Sequence, residues 1–94
     1  MQIQYLGFRT RRHARDYLYL VIDTKSENRE FTFSISNQAL VEKRIRYQDA
    51  PGICYQKLQR ALELETAEQP LPKYSTVSDE DLDYYRAKHG PYKR

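Results

Sequence analysis

Between Glu30 and Ile35 apolar and polar residues alternate without a break: Phe31, Phe33 and Ile35 against Glu30, Thr32 and Ser34. A period of two is the signature of a half-buried strand. The pattern then changes. Ser36 and Asn37 carry short side-chain oxygens that can accept the orphan N–H groups of a first helical turn. Ala39, Leu40 and Val41 follow, with Ile45 four residues after Val41, which is helical spacing. This stretch predicts a strand that runs directly into a helix from about Asn37 to Arg46.

Two more strands precede it. From Gln2 to Phe8, Ile3 and Tyr5 oppose Gln2 and Gln4, and Gly7 interrupts the alternation. A glycine inside a strand pattern marks a bulge, which here would bring Phe8 onto the face of Ile3 and Tyr5. From Asp16 to Asp23, Leu18, Leu20 and Ile22 form one face and Tyr17, Tyr19 and Val21 the other. Both faces are apolar or amphipathic, so both are expected to be partly covered, as in a central strand. The connections RTRRHAR (9–15) and TKSENR (24–29) read as an exposed basic hairpin loop and a turn. Short connections between successive strands imply an antiparallel meander over residues 2–35.

A second helix is expected over about 50–67, with Asp49 as N-cap and Pro51 in its first turn. Its stripe is Cys54, Leu58, Ala61 and Leu62, widened on one side by Ile53 and Leu64. The pattern leaves open whether this helix is separate from the first or continuous with it through a kink near Pro51. The stretch QPLPKYSTV (69–77) reads as an extended linker. A last short helix opens at Ser78 with Asp81 in capping-box spacing, and Gly90 and Pro91 stop it. Leu82, Tyr85 and Tyr84 are the side chains able to anchor it.

The predicted fold class is therefore α+β: a three-stranded antiparallel meander followed by helices on one face (β-β-β-α-α), then a short C-terminal helix. Residues 1–68 form the compact domain, and residues 69–94 form a linker and tail that docks or moves freely. The expected core is Leu18, Leu20, Ile22, Phe31, Phe33, Ile35, Leu40, Val41, Leu58 and Leu62.

Composition narrows the function more than it defines it. Hydrophobic residues make up 39% of the chain, so little apolar surface is spare. Nine of twelve aromatic residues are Tyr, which buries area yet keeps a polar end for rims and binding surfaces. The net charge of +3 is uneven: residues 1–15 hold four Arg and no acid. One cysteine, Cys54, excludes an internal disulfide, and a reducing, cytoplasmic setting is the expectation. No signal-peptide pattern opens the chain and no apolar run is long enough for a membrane span.

No catalytic, metal or cofactor constellation stands out, so a non-enzyme without cofactors is expected. His13 and His89 are far apart in sequence and lack ligand spacing with Cys or acids. Asp79, Glu80, Asp81 and Asp83 suit a helix start better than a calcium loop, which needs its fixed glycine and terminal glutamate. Cys54 sits on an apolar stripe, where a buried structural thiol is the plain expectation. Glycine-rich phosphate loops and nucleophile elbows are missing.

Two binding readings remain. The favoured one is a regulatory or binding module for a protein partner, through the second helix edge at Ile53 and Leu64 and the tail tyrosines Tyr84, Tyr85 and Tyr92. The alternative is binding of RNA or single-stranded DNA. Arg9, Arg11, Arg12, His13 and Arg15 would hold phosphates while Tyr17 and Tyr19 supply stacking faces. No membrane partner is expected. The sequence leaves the specific function, the partner and the oligomeric state open.

Overall fold

The computed structural model describes residues 1–25 and 27–89. The helix stop expected at Gly90 and Pro91, and Tyr92, lie outside the described residues, as do the side chains of Lys88 and His89. The chain folds as α+β, in the order β1 (Gln2–Thr10), β2 (Ala14–Ile22), β3 (Arg29–Ser36), α1 (Asn37–Glu42), α2 (Ala50–Leu64), β4 (Tyr74–Thr76) and α3 (Asp79–His89). The sheet order is β1-β2-β3-β4. The first three strands form the antiparallel meander, and β4 adds in parallel to β3.

Directly opposed residues of an antiparallel pair share a face. The register sets Tyr17 opposite Phe33 and Tyr19 opposite Phe31, so the tyrosines of β2 join the phenylalanines of β3. The core is accordingly Tyr17, Tyr19, Val21, Phe31, Phe33 and Ile35 under helical side chains. This corrects the expectation for β2. Leu18, Leu20 and Ile22 lie on the other face, are partly exposed, and do not belong to the core. The bulge occurs as expected: the β1–β2 register shifts between Tyr5 and Gly7, Gly7 has φ +125°, and Phe8 comes opposite Tyr17. Only glycine adopts such a φ without strain.

The two helices are separate. Ser36 caps α1 by accepting from the Ala39 N–H at 3.0 Å. The helix ends after six residues because Arg44 takes a left-handed conformation, φ 56°. Its N–H donates to the Val41 carbonyl and the Ile45 N–H to the Leu40 carbonyl, at 3.1 and 2.9 Å. Those two bonds define a Schellman stop, with Ile45 folded back beside Leu40. Both are buried, whereas Val41, expected in the core, points to solvent. Asp49 makes no side-chain cap for α2 and instead accepts from Arg46 Nε at 3.0 Å. The helix seats Ala50, Ile53, Cys54 and Leu58 on the sheet, and the Tyr19 hydroxyl donates to the Pro51 carbonyl in its first turn.

The tail docks over its described length. Glu65 Oε2 accepts from Arg29 Nη1 and from the Leu71 N–H, both at 2.8 Å, which turns the chain after α2 back along β3. Thr32 N–H donates to the Lys73 carbonyl and Val77 N–H to the Ser34 carbonyl, both at 2.8 Å. The capping box of α3 is reciprocal: Ser78 N–H donates to Asp81 Oδ2 and Asp81 N–H to Ser78 Oγ, at 3.0 and 3.1 Å. Lys57 of α2 reaches the same carboxylate at 2.9 Å, and Val77, Leu82 and Tyr85 enter the core.

Arg44 carries a side chain where a glycine would be unstrained, so Arg44→Gly should raise stability by about 0.5–1 kcal/mol in a chemical denaturation series. A loss of stability would contradict the proposed α1 stop. The Arg29 guanidinium, with the Leu71 N–H, holds the Glu65 carboxyl below its ordinary value of 4.5. The sign follows: the contribution is present above 4.5 and is lost as pH falls through the lower folded value. Protection of the Leu71 amide from exchange, corrected for the intrinsic rate, should hold at neutral pH and drop on acidification below 4.5. Glu65→Gln should remove that acid step.

Candidate binding surfaces

The helices cover one face of the sheet, and the core cluster lies entirely between them and that face. On the opposite face Leu18, Leu20 and Ile22 form a row along β2, with Thr32 and Glu30 beside it on β3. No helix among the described residues covers this row.

At the hairpin end of the same face lies a polar network. Asp16 and Ser34 are opposed in register and both buried. Asp16 accepts from Arg9 Nη2 and Arg11 Nε, each at 3.1 Å. Arg11 Nη2 also donates to Ser34 Oγ at 3.0 Å and Tyr74 Oη at 2.9 Å. One guanidinium thus ties the β1–β2 hairpin to β3 and to the tail strand. A guanidinium presents several donors in a fixed fork, which suits this bridging role.

The basic segment is therefore divided. Arg9 and Arg15 are strand residues, and the turn itself spans only 11–13. Arg9 and Arg11 are committed to Asp16. Arg15 lies between two rings, its Cζ 4.5 Å from the Phe8 centroid and 4.0 Å from the Tyr47 centroid. His13 is exposed, and its carbonyl accepts the Asn37 N–H at 2.9 Å. Arg12 is exposed, and its side chain has no hydrogen bond or ion pair among the described residues.

Tyr17 and Tyr19 are 0% exposed, so the stacking faces expected of them lie under the helices. Burial pushes both hydroxyl pKa values up. The Tyr17 hydroxyl is buried without a hydrogen-bond partner among the described residues. The rings that reach solvent beside the arginines are Phe8 and Tyr47 instead. Tyr47 lay in a loop of no evident pattern; only the fold brings it to Arg15.

The protein-facing residues expected on the helices are also split. Ile53 is 6% and Tyr85 4% exposed, and both belong to the core. Leu64 is 69% exposed, and Tyr84 is exposed with its hydroxyl accepting from Arg60 Nη1 at 2.6 Å. Ile53 thus drops out of the surface, while Leu64, Tyr84 and Tyr85 line, with Ala61, one open groove of about 350 Å³ between α2 and α3. Another open groove of about 530 Å³ runs between α2 and α3 and includes Tyr55, Arg60, Tyr84 and Tyr85.

Chemically reactive groups are few. Cys54 is buried, and desolvation pushes its thiol up to about 12, which leaves it protonated at neutral pH. Among the described residues no group of three His, Cys, Asp or Glu side chains is placed to hold a metal. No helix among them is long and apolar enough to cross a membrane.

Fold and surfaces together define a four-stranded mixed sheet layered by helices on one side and, among the described residues, without a helix on the other. No family model, curated protein or solved structure matches the chain.

Arg11 is a structural tie and Arg12 is not, so the two should separate in stability. Arg11→Ala leaves a buried carboxylate short of a partner and frees Ser34 and Tyr74, with an expected loss of about 1–3 kcal/mol. Arg12→Ala should stay within about 0.5 kcal/mol of wild type. Equal denaturation midpoints for both variants would remove the bridging role of Arg11.

Proposed function

We propose that the domain is a non-catalytic binding module whose protein partner docks on the uncovered face of the sheet. The observation that carries this reading is the row Leu18, Leu20 and Ile22 along the second strand of the sheet, which no helix among the described residues covers. An ordinary solvated face of an antiparallel sheet is polar, and three aliphatic side chains in a line depart from that. Arg9 and Arg11 flank one end of the row with two cations against the single Asp16 carboxylate. The chemistry that fits is an amphipathic segment with an apolar ridge and carboxylates toward the arginine end. Its ridge would remove the leucine row from water, and its acids would meet charge that Asp16 does not neutralise.

Nucleic acid is the second reading, favoured by the Phe8–Arg15–Tyr47 stack and by Arg12 in the same hairpin, whose side chain has no partner among the described residues. Half-exposed rings next to cations suit a single strand, whose bases stack while phosphates meet arginine. It ranks second because the arginines closest to the hairpin base are already bound to Asp16.

Leu20→Glu places a charge in the middle of the row without touching the core. With wild type, Leu20→Glu and Leu64→Glu immobilised side by side, a protein retained by the first and third and lost at least tenfold by the second is the expected outcome. Equal retention on all three would move the partner off this face. For the second reading, affinity for a short single-stranded oligonucleotide should fall with salt, and Arg12→Ala should lower the log–log slope by about one. An unchanged slope would remove that reading.

A further inference from the structure

The free edge of the sheet carries a pattern that neither reading uses. Thr32 donates to Lys73 and Ser34 accepts from Val77, so the even-numbered backbone groups of β3 face β4. Hydrogen-bonding direction alternates along a strand. Phe31, Phe33 and Ile35 therefore face β2, and their partners Tyr19, Tyr17 and Arg15 face back toward them. Asp16, Leu18, Leu20 and Ile22 are left to face β1, where they meet Arg9, Gly7, Gln4 and Gln2. The Arg11 N–H bond to the Ala14 carbonyl, 2.8 Å, obeys the same parity. What remains pointing away from the sheet is the backbone of Ile3, Tyr5, Phe8 and Thr10. These groups have no strand beside them among the described residues.

The bulge makes this set unusual. A regular strand would present every second residue, whereas here the spacing is two, three, two, and it reads the same from either end. We propose that β1 pairs antiparallel with β1 of a second copy of the chain, with Tyr5 opposite Phe8 of that copy. In this register Ile3 meets Thr10, Tyr5 meets Phe8, and each relation is repeated by the two-fold axis. Each of these four residues finds an outward-facing partner, and the two bulges lie against each other on the axis. That is the self-complementarity an isologous interface requires.

Side chains and charge fit the same register. The outward residues all stand on the helix-covered face, because their β2 partners there are Val21, Tyr19, Tyr17 and Arg15. Tyr5 and Phe8 are 41% and 53% exposed, and two Tyr5–Phe8 cross-strand pairs would cover both. No cation meets a cation along the strands: Arg9 falls opposite Gln4, and the two basic hairpins point to opposite ends of the dimer. Continued past the strand, the register brings Arg12 opposite Met1. Met1, Gln2, Ile3 and Glu63 line an open groove of about 420 Å³ at that end. Arg12 and Glu63 are both without an ion pair among the described residues, and they have opposite charge. The dimer places the leucine rows of the two copies on one face of a single sheet. It uses the edge and not that face, so it stands or falls independently of the proposed partner site.

The test is sedimentation equilibrium of the full chain over a wide concentration range, with far-UV circular dichroism to confirm folding. A reversible dimer is expected. Tyr5→Pro removes an outward N–H and leaves the β1–β2 ladder intact, and it should weaken the dimer at least tenfold. Phe8→Lys and Tyr5→Asp should each weaken it without a backbone change. Combined in one chain, the two substitutions set the new carboxylate of each copy against the new ammonium of the other, twice across the axis, and should restore the dimer. A wild-type monomer at the highest soluble concentration overturns the proposal. So does a dimer whose affinity the folded single variants leave unchanged, or one that the double variant fails to recover.

Discussion

The structure turns on which side of the second strand is turned inward. Tyr17, Tyr19 and Val21 compete with Leu18, Leu20 and Ile22 for the core, and by hydrophobicity alone the leucine side would be favoured. The outcome is decided across the ladder. The third strand alternates without ambiguity, and antiparallel pairing places Phe31 opposite Tyr19 and Phe33 opposite Tyr17. A slip of one residue would carry the whole of the second strand to the other face. Once the phenylalanines choose the inner face, the tyrosines must follow. Tyr19 then requires a partner for its hydroxyl, which the Pro51 carbonyl supplies at the start of the second helix. The helices have one face to cover, and the aliphatic row is left outside.

The outer face is held by polar contacts instead. Asp16 has the parity of the leucine row and would be a buried, unpaired carboxylate without Arg9 and Arg11. An isolated buried charge is strongly unfavourable, so the arginines are recruited to it. Arg11 has donors to spare, and these reach Ser34 and Tyr74. The fourth strand spans three residues and has little ladder of its own. It stays because Arg11, the Glu65 turn, the Val77 and Leu82 anchors and the Lys57–Asp81 pair each hold one part of the tail. Two effects thus come from one ion cluster: it neutralises a buried acid, and it draws the positive charge of the hairpin into the fold. Of the four arginines in residues 9–15, Arg12 is the one whose side chain the described residues leave unbound.

Features set by short-range chemistry were legible in the sequence. The Gly7 bulge, the Ser36 cap and the Ser78–Asp81 box each depend on residues within a few positions, and each is found where its residues predict. The meander and its helical cover also followed from pattern. What was not legible depends on partners distant in sequence. The inner face of the second strand is set by the third, although Asp16, a charged residue sharing parity with Leu18 and Leu20, was a usable sign against that side forming the apolar core. The first helix stops at Arg44, where no glycine announces a left-handed turn. The parallel strand at Tyr74 is too short and polar to show alternation. The stacking of Arg15 on Phe8 and Tyr47 joins three separate segments, so neither the loss of Tyr17 and Tyr19 as surface rings nor their replacement was visible locally. Burial of Ile53 likewise depended on how far the second helix rolls onto the sheet.

The bulge in the first strand links packing to association. Without it, Phe8 would share the outer face with the leucine row, and the outward backbone groups would recur at every second residue. Such an edge accepts any extended strand, which is the usual route to aggregation. With it, a regular strand that pairs well with Ile3 and Tyr5 falls out of phase by Phe8, and one that fits Phe8 and Thr10 fails at Ile3. Pairing along the full length demands a strand with the complementary irregularity, and the first strand itself has one. The same glycine conformation that turns Phe8 toward Arg15 and Tyr17 therefore penalises indiscriminate partners of the edge. Selectivity of this kind comes from mismatch with the wrong strand more than from added attraction to the right one. It also explains how an edge of nine residues without Pro or Lys can be left open beside four exposed apolar side chains, Met1, Tyr5, Leu6 and Phe8.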